Sequence, residues 1–316
     1  MVRERGFTSV RGLALGHAEE VGLSSGVTVV RFDTATPTVA EVRGGASATY
    51  DTASLALDST FGRRWAIFLS GGSLYGLDAA RGVRARILET GGGHRLFGNP
   101  TPIIPVSGAA LFDLPRTPGP IPEYLALGYE ATRRAGRGPA AAGRVGAGAG
   151  ATVGKYRGRA RCMLGGVGEA VRRWGRGSVG VLAVVNAYGG IRDPATGAWV
   201  AGARSSRGAI VPPSPSSSRP ARSTGTTLAV VATDLEVSRP VLARVASIVH
   251  AGLARAIIPY QSSTDGDVVF ASSTGSAGPA PAEVYPGGTA DAVGTIAADL
   301  AVSAVLSAVR AANGKR

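Results

Sequence analysis

One junction constrains this chain more than any other. Residues 204–225, RSSRGAIVPPSPSSSRPARSTG, are Ser, Pro and Arg with a single short apolar patch, the composition of an exposed, mobile linker. The next seven residues, Thr226 to Ala232 (TTLAVVA), read as a buried strand, with no turn residue in between. A solvated segment that stops abruptly at the threonine heading a core strand is what a chain built to be cut at that point would have.

The rest of the composition bounds the fold. With 316 residues, 44% hydrophobic and 17% charged, the chain can bury a large core, and disorder throughout is excluded. Aromatics are only 6% beside 47 Gly and 19 Pro, so Val, Ala, Leu and Ile must fill that core between many turns, as in a mixed α/β or α+β protein. The single cysteine, Cys162, can form neither an internal disulfide nor a cysteine-based zinc site. His17, His94 and His250 have no metal-site spacing, so no metal or cofactor is expected, and no serine triad is indicated. The N-terminus begins basic, but its apolar run, Gly12 to Gly16, is too short for a signal-peptide core. No stretch approaches the roughly 18 uninterrupted apolar residues of a membrane span. The expectation is a soluble, cytoplasmic protein.

The formal charge is +13, and nearly all of the excess precedes residue 226: 28 Lys plus Arg against 14 Asp plus Glu there, 6 against 7 after it. A basic surface attracts phosphate whatever its sequence preference, which raises a nucleic-acid reading. The arginines are scattered, as at Arg63-Arg64, Arg133-Arg134 and Arg172-Arg173, without interleaved aromatics to stack on bases. A solvated, Arg-biased surface is favoured over a nucleic-acid footprint.

Along the chain, β-branched runs predict strands at Gly26–Phe32, Thr38–Val42 and Trp65–Ser70. The third ends in Gly71-Gly72-Ser73, after which Leu77–Leu88 carries apolar residues at helical spacing, so the glycines form a strand-to-helix turn. A second helix is predicted over Pro122–Ala135. The glycine-rich GAGAGATVGK before Tyr156 fails as a phosphate loop: Ala149 stands where the first Gly is needed and Tyr156 where Ser or Thr is needed. Ser178–Ala187 is a buried strand with polar Asn186 near its end. Helices over Ser238–Ile258 and Thr289–Val309 flank a strand at Asp267–Ser272.

The junction suggests a chemistry. A threonine hydroxyl needs a base, and its own α-amine serves once the preceding peptide bond is broken, having an ordinary pKa of about 7.7 to 8.0. Thr226 would attack the carbonyl of Gly225, shift the acyl group from nitrogen to oxygen and be released by hydrolysis as a new N-terminus. Asn186, a side-chain amide on a rigid strand, is a candidate donor to the oxyanion. Asp265-Gly266-Asp267 sets two carboxylates two residues apart, placed to hold an ammonium group of Thr226 or of a substrate; the same tripeptide also reads as an ordinary turn. Lys155, alone after a glycine run, reads as a solvated lysine more often than as a site residue.

Taken together, these residues resemble the self-processing L-aminopeptidase/D-esterase family, the DmpA-like peptidases, which includes the nylon-oligomer hydrolases. The resemblance covers nearly the whole chain and is carried by GHAEE at 16–20, VRGGA at 42–46, LSGGSLYGLDAARGV at 69–83, PIIPVSGAALFDL at 102–114, VGAGAGATVGK at 145–155, VLAVVNAYGGIRDPATG at 181–197, TTLAVVATD at 226–234, HAGLARAIIP at 250–259 and DGDVVFASSTG at 265–275. It implies an α+β fold, an αββα sandwich of the DmpA and ornithine-acetyltransferase type, in one catalytic domain over residues 1–316. Self-cleavage would divide that domain into 1–225 and 226–316, assembled as a tetramer of processed pairs. Thr226 matches the family nucleophile and Asn186 the oxyanion residue. Asp265, Asp267 and Lys155 look like residues of the nylon-oligomer branch. Two features depart from the common pattern: Gly225 stands where many relatives carry Asn, and the linker is unusually rich in Ser, Pro and Arg. The implied activity is hydrolysis of short peptides, amino-acid amides or esters through an acyl-enzyme on Thr226. The alternatives are acyl transfer of the ornithine-acetyltransferase type and an uncut, inactive binding homologue with a basic surface.

Overall fold

In the computed structural model, residues 6–115, 117, 119–214 and 224–314 are described. The first half of the chain contributes β1 (Leu13–Glu20), β2 (Ser25–Val42), β3 (Ala48–Tyr50), β4 (Arg63–Ser70), α1 (Ala79–Glu89), β5 (Val106–Ala110) and α2 (Tyr124–Arg133). Short strands β6 (Thr152–Val153) and β7 (Met163–Leu164) lead to β8 (Gly166–Trp174) and β9 (Gly177–Asn186). Four more short strands follow: β10 (Gly190–Arg192), β11 (Trp199–Ala201), β12 (Ala203–Arg204) and β13 (Ile210–Val211). The last third is β14 (Thr226–Glu236), α3 (Arg239–Ala256), β15 (Ile257–Ile258), β16 (Val268–Pro279) and α4 (Gly288–Ala312).

The main strands run in the order β3-β5-β4-β2-β16-β14-β9-β8, with β1 also paired to β2. Side-chain alternation divides this path into two packed layers. Leu228, Val230 and Ala232 of β14, Leu182 and Val184 of β9 and Val268 and Phe270 of β16 pack with Val30, Phe32, Ile67 and Leu69 of β2 and β4. That cluster is the filling between two sheets. The intervening residues Ala229, Val231, Val181, Ala183, Val185, Val269 and Ala271 face the other way, onto α3 and α4. On the opposite side, Val27, Val29, Ala66 and Phe68 pack with Ala79, Ala80, Val83 and Ile87 of α1 and with Tyr124 and Ala131 of α2. The layers are therefore helix, sheet, sheet, helix, the αββα sandwich expected. Each fully buried Val, Leu or Phe contributes about 1.5–3 kcal/mol, so continuous β-branched runs at the middle of the stack outweigh the poor sheet propensity of the many glycines.

Four expectations need correction. Gly26–Phe32 and Thr38–Val42 are one 18-residue strand, β2, which pairs with β4 up to Arg31, resumes at Thr36 after a register shift and uses Thr38–Val42 to pair with β16. The stretch Asp33–Pro37 is the irregularity, not a break. The 204–225 segment is not uniformly a linker, because β12 and β13 pair antiparallel across it; residues 215–223 lie outside the described residues. The helix predicted to reach Ile258 ends at Ala256, and Ile257–Ile258 pairs with β10. Finally, α4 is long and apolar enough to span a membrane by length and composition; two-thirds of its apolar window is buried within the protein. Its buried positions, among them Val293, Ala297, Leu300, Ala301, Ala304 and Val305, recur at helical spacing and lie in the cluster shared with α3 and the sheet.

Candidate active site

Thr226 is the first residue of β14 and Asn186 the last of β9, and antiparallel pairing sets them directly opposite each other. Both share the parity of Leu228, Val230, Leu182 and Val184, so both side chains stand on the face that looks into the sandwich, at its end. Thr226 is 3% exposed and Asn186 fully buried. The Thr226 hydroxyl donates to the carbonyl oxygen of Gly225 at 2.5 Å, which puts Oγ1 against the peptide bond that precedes it.

Lys155 enters from a turn held by backbone pairing: its N–H donates to the Tyr188 carbonyl at 2.8 Å, just beyond β9. The local pattern favoured a solvated lysine; the structure buries it, 1% exposed. Its Nζ donates to Asn186 Oδ1 at 2.7 Å and, more closely, to the Asn186 carbonyl. Burial, the dominant cause, pushes this amine down to about 7, against the pull of neighbouring acidic groups including Asp265. Near neutrality a large share of Lys155 is therefore an uncharged amine.

The hydrogen bonds fix the orientation of the Asn186 amide. Its Oδ1 accepts from the Thr152 N–H at 3.0 Å, a group that can only donate, and from Lys155 Nζ. Its Nδ2 donates to the Phe112 carbonyl at 3.1 Å. One of the two amide hydrogens expected to serve an oxyanion is thus already committed.

Asp265 and Asp267 are brought to the same end of the sheet and are buried, yet they are satisfied mainly by backbone. Asp265 accepts from the Tyr188 N–H at 3.2 Å, the Ser262 N–H at 3.0 Å and the Ser262 hydroxyl at 2.6 Å. Asp267 accepts from the Thr227 N–H at 2.6 Å and the Gln261 N–H at 3.1 Å. Burial and the charge of Asp265 hold the Asp267 carboxyl above the ordinary carboxylate range. The turn reading is realised, and these bonds shape a loop that touches the junction. Gly225 pairs with residue 265 as an isolated parallel bridge: its N–H donates to the Thr264 carbonyl at 3.1 Å, and its carbonyl accepts from the Gly266 N–H at 3.0 Å. A Cβ at residue 225 would lie 2.1 Å from Asp265 Oδ1 and 2.2 Å from the Tyr188 nitrogen. Only glycine fits this close approach.

A further group went unseen in the sequence. Asp113 accepts from the Gly72 N–H and from the Ser25 hydroxyl, each at 2.7 Å, and Ser25 also bonds the Tyr124 hydroxyl at 2.7 Å. Burial raises the Asp113 carboxyl. Gly72 sits at φ +81°, and a Cβ on it would meet the Tyr124 ring. The Gly71-Gly72-Ser73 turn, to which the sequence assigned no chemistry, is the seat of this cluster, and Asp113 follows Phe112, whose carbonyl orients Asn186. The only sequence signal was the Asp within the run ALFDL, and its partners Gly72 and Ser25 lie 41 and 88 residues away.

A buried hydroxyl on the preceding carbonyl, with a depressed amine bonded to the residue directly opposite it, is an arrangement suited to acyl transfer. Comparison with known proteins gives the family. The model of peptidase family S58 matches residues 6–315. The chain belongs to this family. Like the rest of the S58 peptidases it is a hydrolase of peptide and amide bonds. An uncharacterized aminopeptidase of Mycobacterium tuberculosis is 36% identical over 96% of the chain and 93% of its own length. A 6-aminohexanoate-oligomer endohydrolase of Kocuria sp. is 29% identical over 98% of the chain and 88% of its own length. Among solved structures, the L-aminopeptidase D-Ala-esterase/amidase of Ochrobactrum anthropi, described as a variant of the Ntn-hydrolase fold, superposes with a TM-score of 0.70 at 20% identity, covering 98% of this chain and 86% of its own. A Burkholderia sp. β-aminopeptidase gives 0.67 at 20% identity, covering 98% and 87%. The S58 fold is thus shared well beyond the range of close sequence similarity.

Proposed function

We propose that this S58 peptidase is made as a precursor that cuts its own Gly225–Thr226 bond and then hydrolyses amides through an acyl-enzyme on Thr226. The observation that carries this reading is the Thr226 hydroxyl lying 2.5 Å from the carbonyl oxygen of the preceding residue, in a buried site. In the precursor the α-amine of Thr226 is tied up in the peptide bond, so another base is needed. Lys155, lowered to about 7 and bonded to the residue directly opposite Thr226, fills that role. The proton of Oγ1 passes to the Lys155 amine as the oxygen bonds to the Gly225 carbon, and Lys155 returns it to the departing nitrogen. Water then hydrolyses the resulting ester, leaving a carboxylate on Gly225 and a free hydroxyl and amine on Thr226.

In the cut enzyme the Thr226 amine is available as a second base, and its substrate would occupy the position the Gly225 carbonyl holds in the precursor. The Asp265 carboxyl, beside the position of Gly225, favours substrates bearing an ammonium group. Amino-acid amides and short peptides, suggested by the aminopeptidase relatives, and oligoamides of 6-aminohexanoate, suggested by the Kocuria relative, are the two classes to compare. Steady-state hydrolysis of amino-acid p-nitroanilides and of 6-aminohexanoate oligomers by wild type and by Thr226→Ala tests the reading. Loss of the nucleophile should cost at least about 10³-fold in kcat; a Thr226→Ala protein as active as wild type would refute it.

A further inference from the structure

The self-cleavage proposed above needs something to hold the negative charge that develops on the Gly225 oxygen, and the side chain expected to do so, Asn186, has one of its two amide hydrogens committed elsewhere and makes no bond to that oxygen. Asn186 gives one amide hydrogen to Phe112, and its oxygen accepts from Lys155 and Thr152. The Gly225 oxygen instead meets two donors, the Thr226 hydroxyl and the backbone N–H of Gly266, the latter at 3.0 Å. The hydroxyl gives up its proton in the reaction and cannot remain a donor. The Gly266 N–H can. We propose that the backbone N–H of Gly266 is the oxyanion donor of the self-cleavage step, delivered by the 264–266 segment, which clamps Gly225 as a one-residue parallel strand.

The proposal rests on the self-cleavage reading and adds a donor to it. Three features support the assignment. The N–H already bonds the ground-state carbonyl oxygen at 3.0 Å, the oxygen on which the negative charge develops. Rigidity comes from both sides of Gly266: the Asp265 carbonyl accepts from the Ala46 N–H at 2.9 Å, the Asp267 carbonyl accepts from the Arg43 N–H at 3.0 Å, and the flanking carboxylates are pinned by four backbone N–H groups. The donor therefore needs no reorganisation as charge develops. The Thr264 carbonyl meanwhile accepts from the Gly225 N–H at 3.1 Å, so the scissile residue is gripped on both of its polar backbone groups and its carbonyl cannot rotate away from Oγ1. As Thr226 Oγ1 bonds to the Gly225 carbon, the π pair moves onto the oxygen facing Gly266; when that pair returns, the bond to the Thr226 nitrogen breaks. Glycine at 266 also leaves room for the nucleophile, since a Cβ there would stand 3.1 Å from Thr226 Oγ1 and 2.9 Å from the Ala46 oxygen.

Replacing the Gly266 amide with an ester, by incorporating glycolic acid at that position in the full chain, removes the hydrogen and adds no atom. The precursor is refolded from denaturant, and fragment formation is followed by gel and intact mass. Processing should slow about 10²- to 10³-fold, the usual cost of one oxyanion donor. The substitution also weakens the Asp265 carbonyl as an acceptor for Ala46, so a second ester, lactic acid at Ala46, deletes that bond alone and should process at close to the wild-type rate. A Gly266 ester that processes as fast as wild type, or an Ala46 ester that is equally slow, overturns the assignment. Should the Gly266 ester fail to fold, Thr226→Ala precursor labelled with ¹³C at the Gly225 carbonyl and ¹⁵N at Gly266 decides: a coupling through the hydrogen bond supports the proposal and its absence in folded protein overturns it. Wild type that stays whole defeats self-cleavage itself; wild type that splits while the Gly266 ester splits equally fast defeats only the role of Gly266.

Discussion

If Lys155 takes the proton from Thr226 in the precursor, the rate of self-cleavage must follow the fraction of Lys155 that is neutral. An ordinary lysine, titrating at 10.5, is neutral in only about 0.03% of molecules at pH 7. Burial lowers Lys155 to about 7, which makes about half of it a free amine at that pH and about 1% at pH 5. Processing of wild-type precursor should therefore slow about 50-fold between pH 7 and pH 5, with log rate rising by one per pH unit at the acid end and levelling above pH 8. The assay is refolding from denaturant into buffers across this range, quenched in detergent and read as fragment yield, with Thr226→Ala precursor at each pH to show by circular dichroism that folding is complete. Lys155→Met should lose about 10²- to 10⁴-fold and the slope with it. Lys155→Arg separates two roles, because arginine keeps the cation and cannot act as a base. It should be as slow as methionine. A flat profile between pH 5 and 7, or Lys155→Arg processing at the wild-type rate, would refute the reasoning.

Other consequences follow from the same geometry. Folded Lys155 releases its proton near pH 7 and an unfolded lysine near 10.5, so between those values the unfolded chain binds the extra proton and stability rises with pH. Denaturant unfolding of Thr226→Ala precursor should show this rise, up to about 5 kcal/mol across the window, and Lys155→Met should flatten it; an unchanged slope would mean the amine is not buried as charged lysine's rival form. Gly225→Ala forces a Cβ against Asp265 and the Tyr188 nitrogen, displacing the scissile carbonyl by some tenths of an ångström or more, and should slow fragment formation by about 10²-fold in the refolding assay. Gly72→Ala puts a side chain at φ +81° and into the Tyr124 ring, and should cost about 2–4 kcal/mol in the same unfolding measurement; a midpoint equal to that of the parent would remove the Asp113 cluster from the account.

Sequence and structure meet most closely where a pattern is local. β14 begins at Thr226 as the apolar run required, Asn186 closes β9, and α1, α2, α3 and α4 sit within a few residues of the expected helices, because apolar periodicity within one element needs no knowledge of its neighbours. The layering followed from the family resemblance and is visible residue by residue in the two-way alternation of Leu228–Ala232. What stayed hidden was long-range or made of backbone. Asp33–Pro37 has a turn composition, yet β2 continues through it because its two halves pair with different strands. Lys155 reads as a surface residue until the fold lays Asn186 over it. Asp113 gains its role only when Ser25, Gly72 and Tyr124 converge. Gly266 carries no side chain for a pattern to register, and the sequence drew attention to its two neighbours instead.

The central claim, that this chain cuts itself to make Thr226 a nucleophile, is tested most directly by intact-mass spectrometry of purified wild type beside Thr226→Ala. Scaling the 31.8 kDa chain by residue number, wild type should give fragments of roughly 23 and roughly 9 kDa, the smaller one beginning with Thr226, and the variant a single whole chain. Wild type that remains whole, or a Thr226→Ala protein that splits at the same bond, would contradict the account.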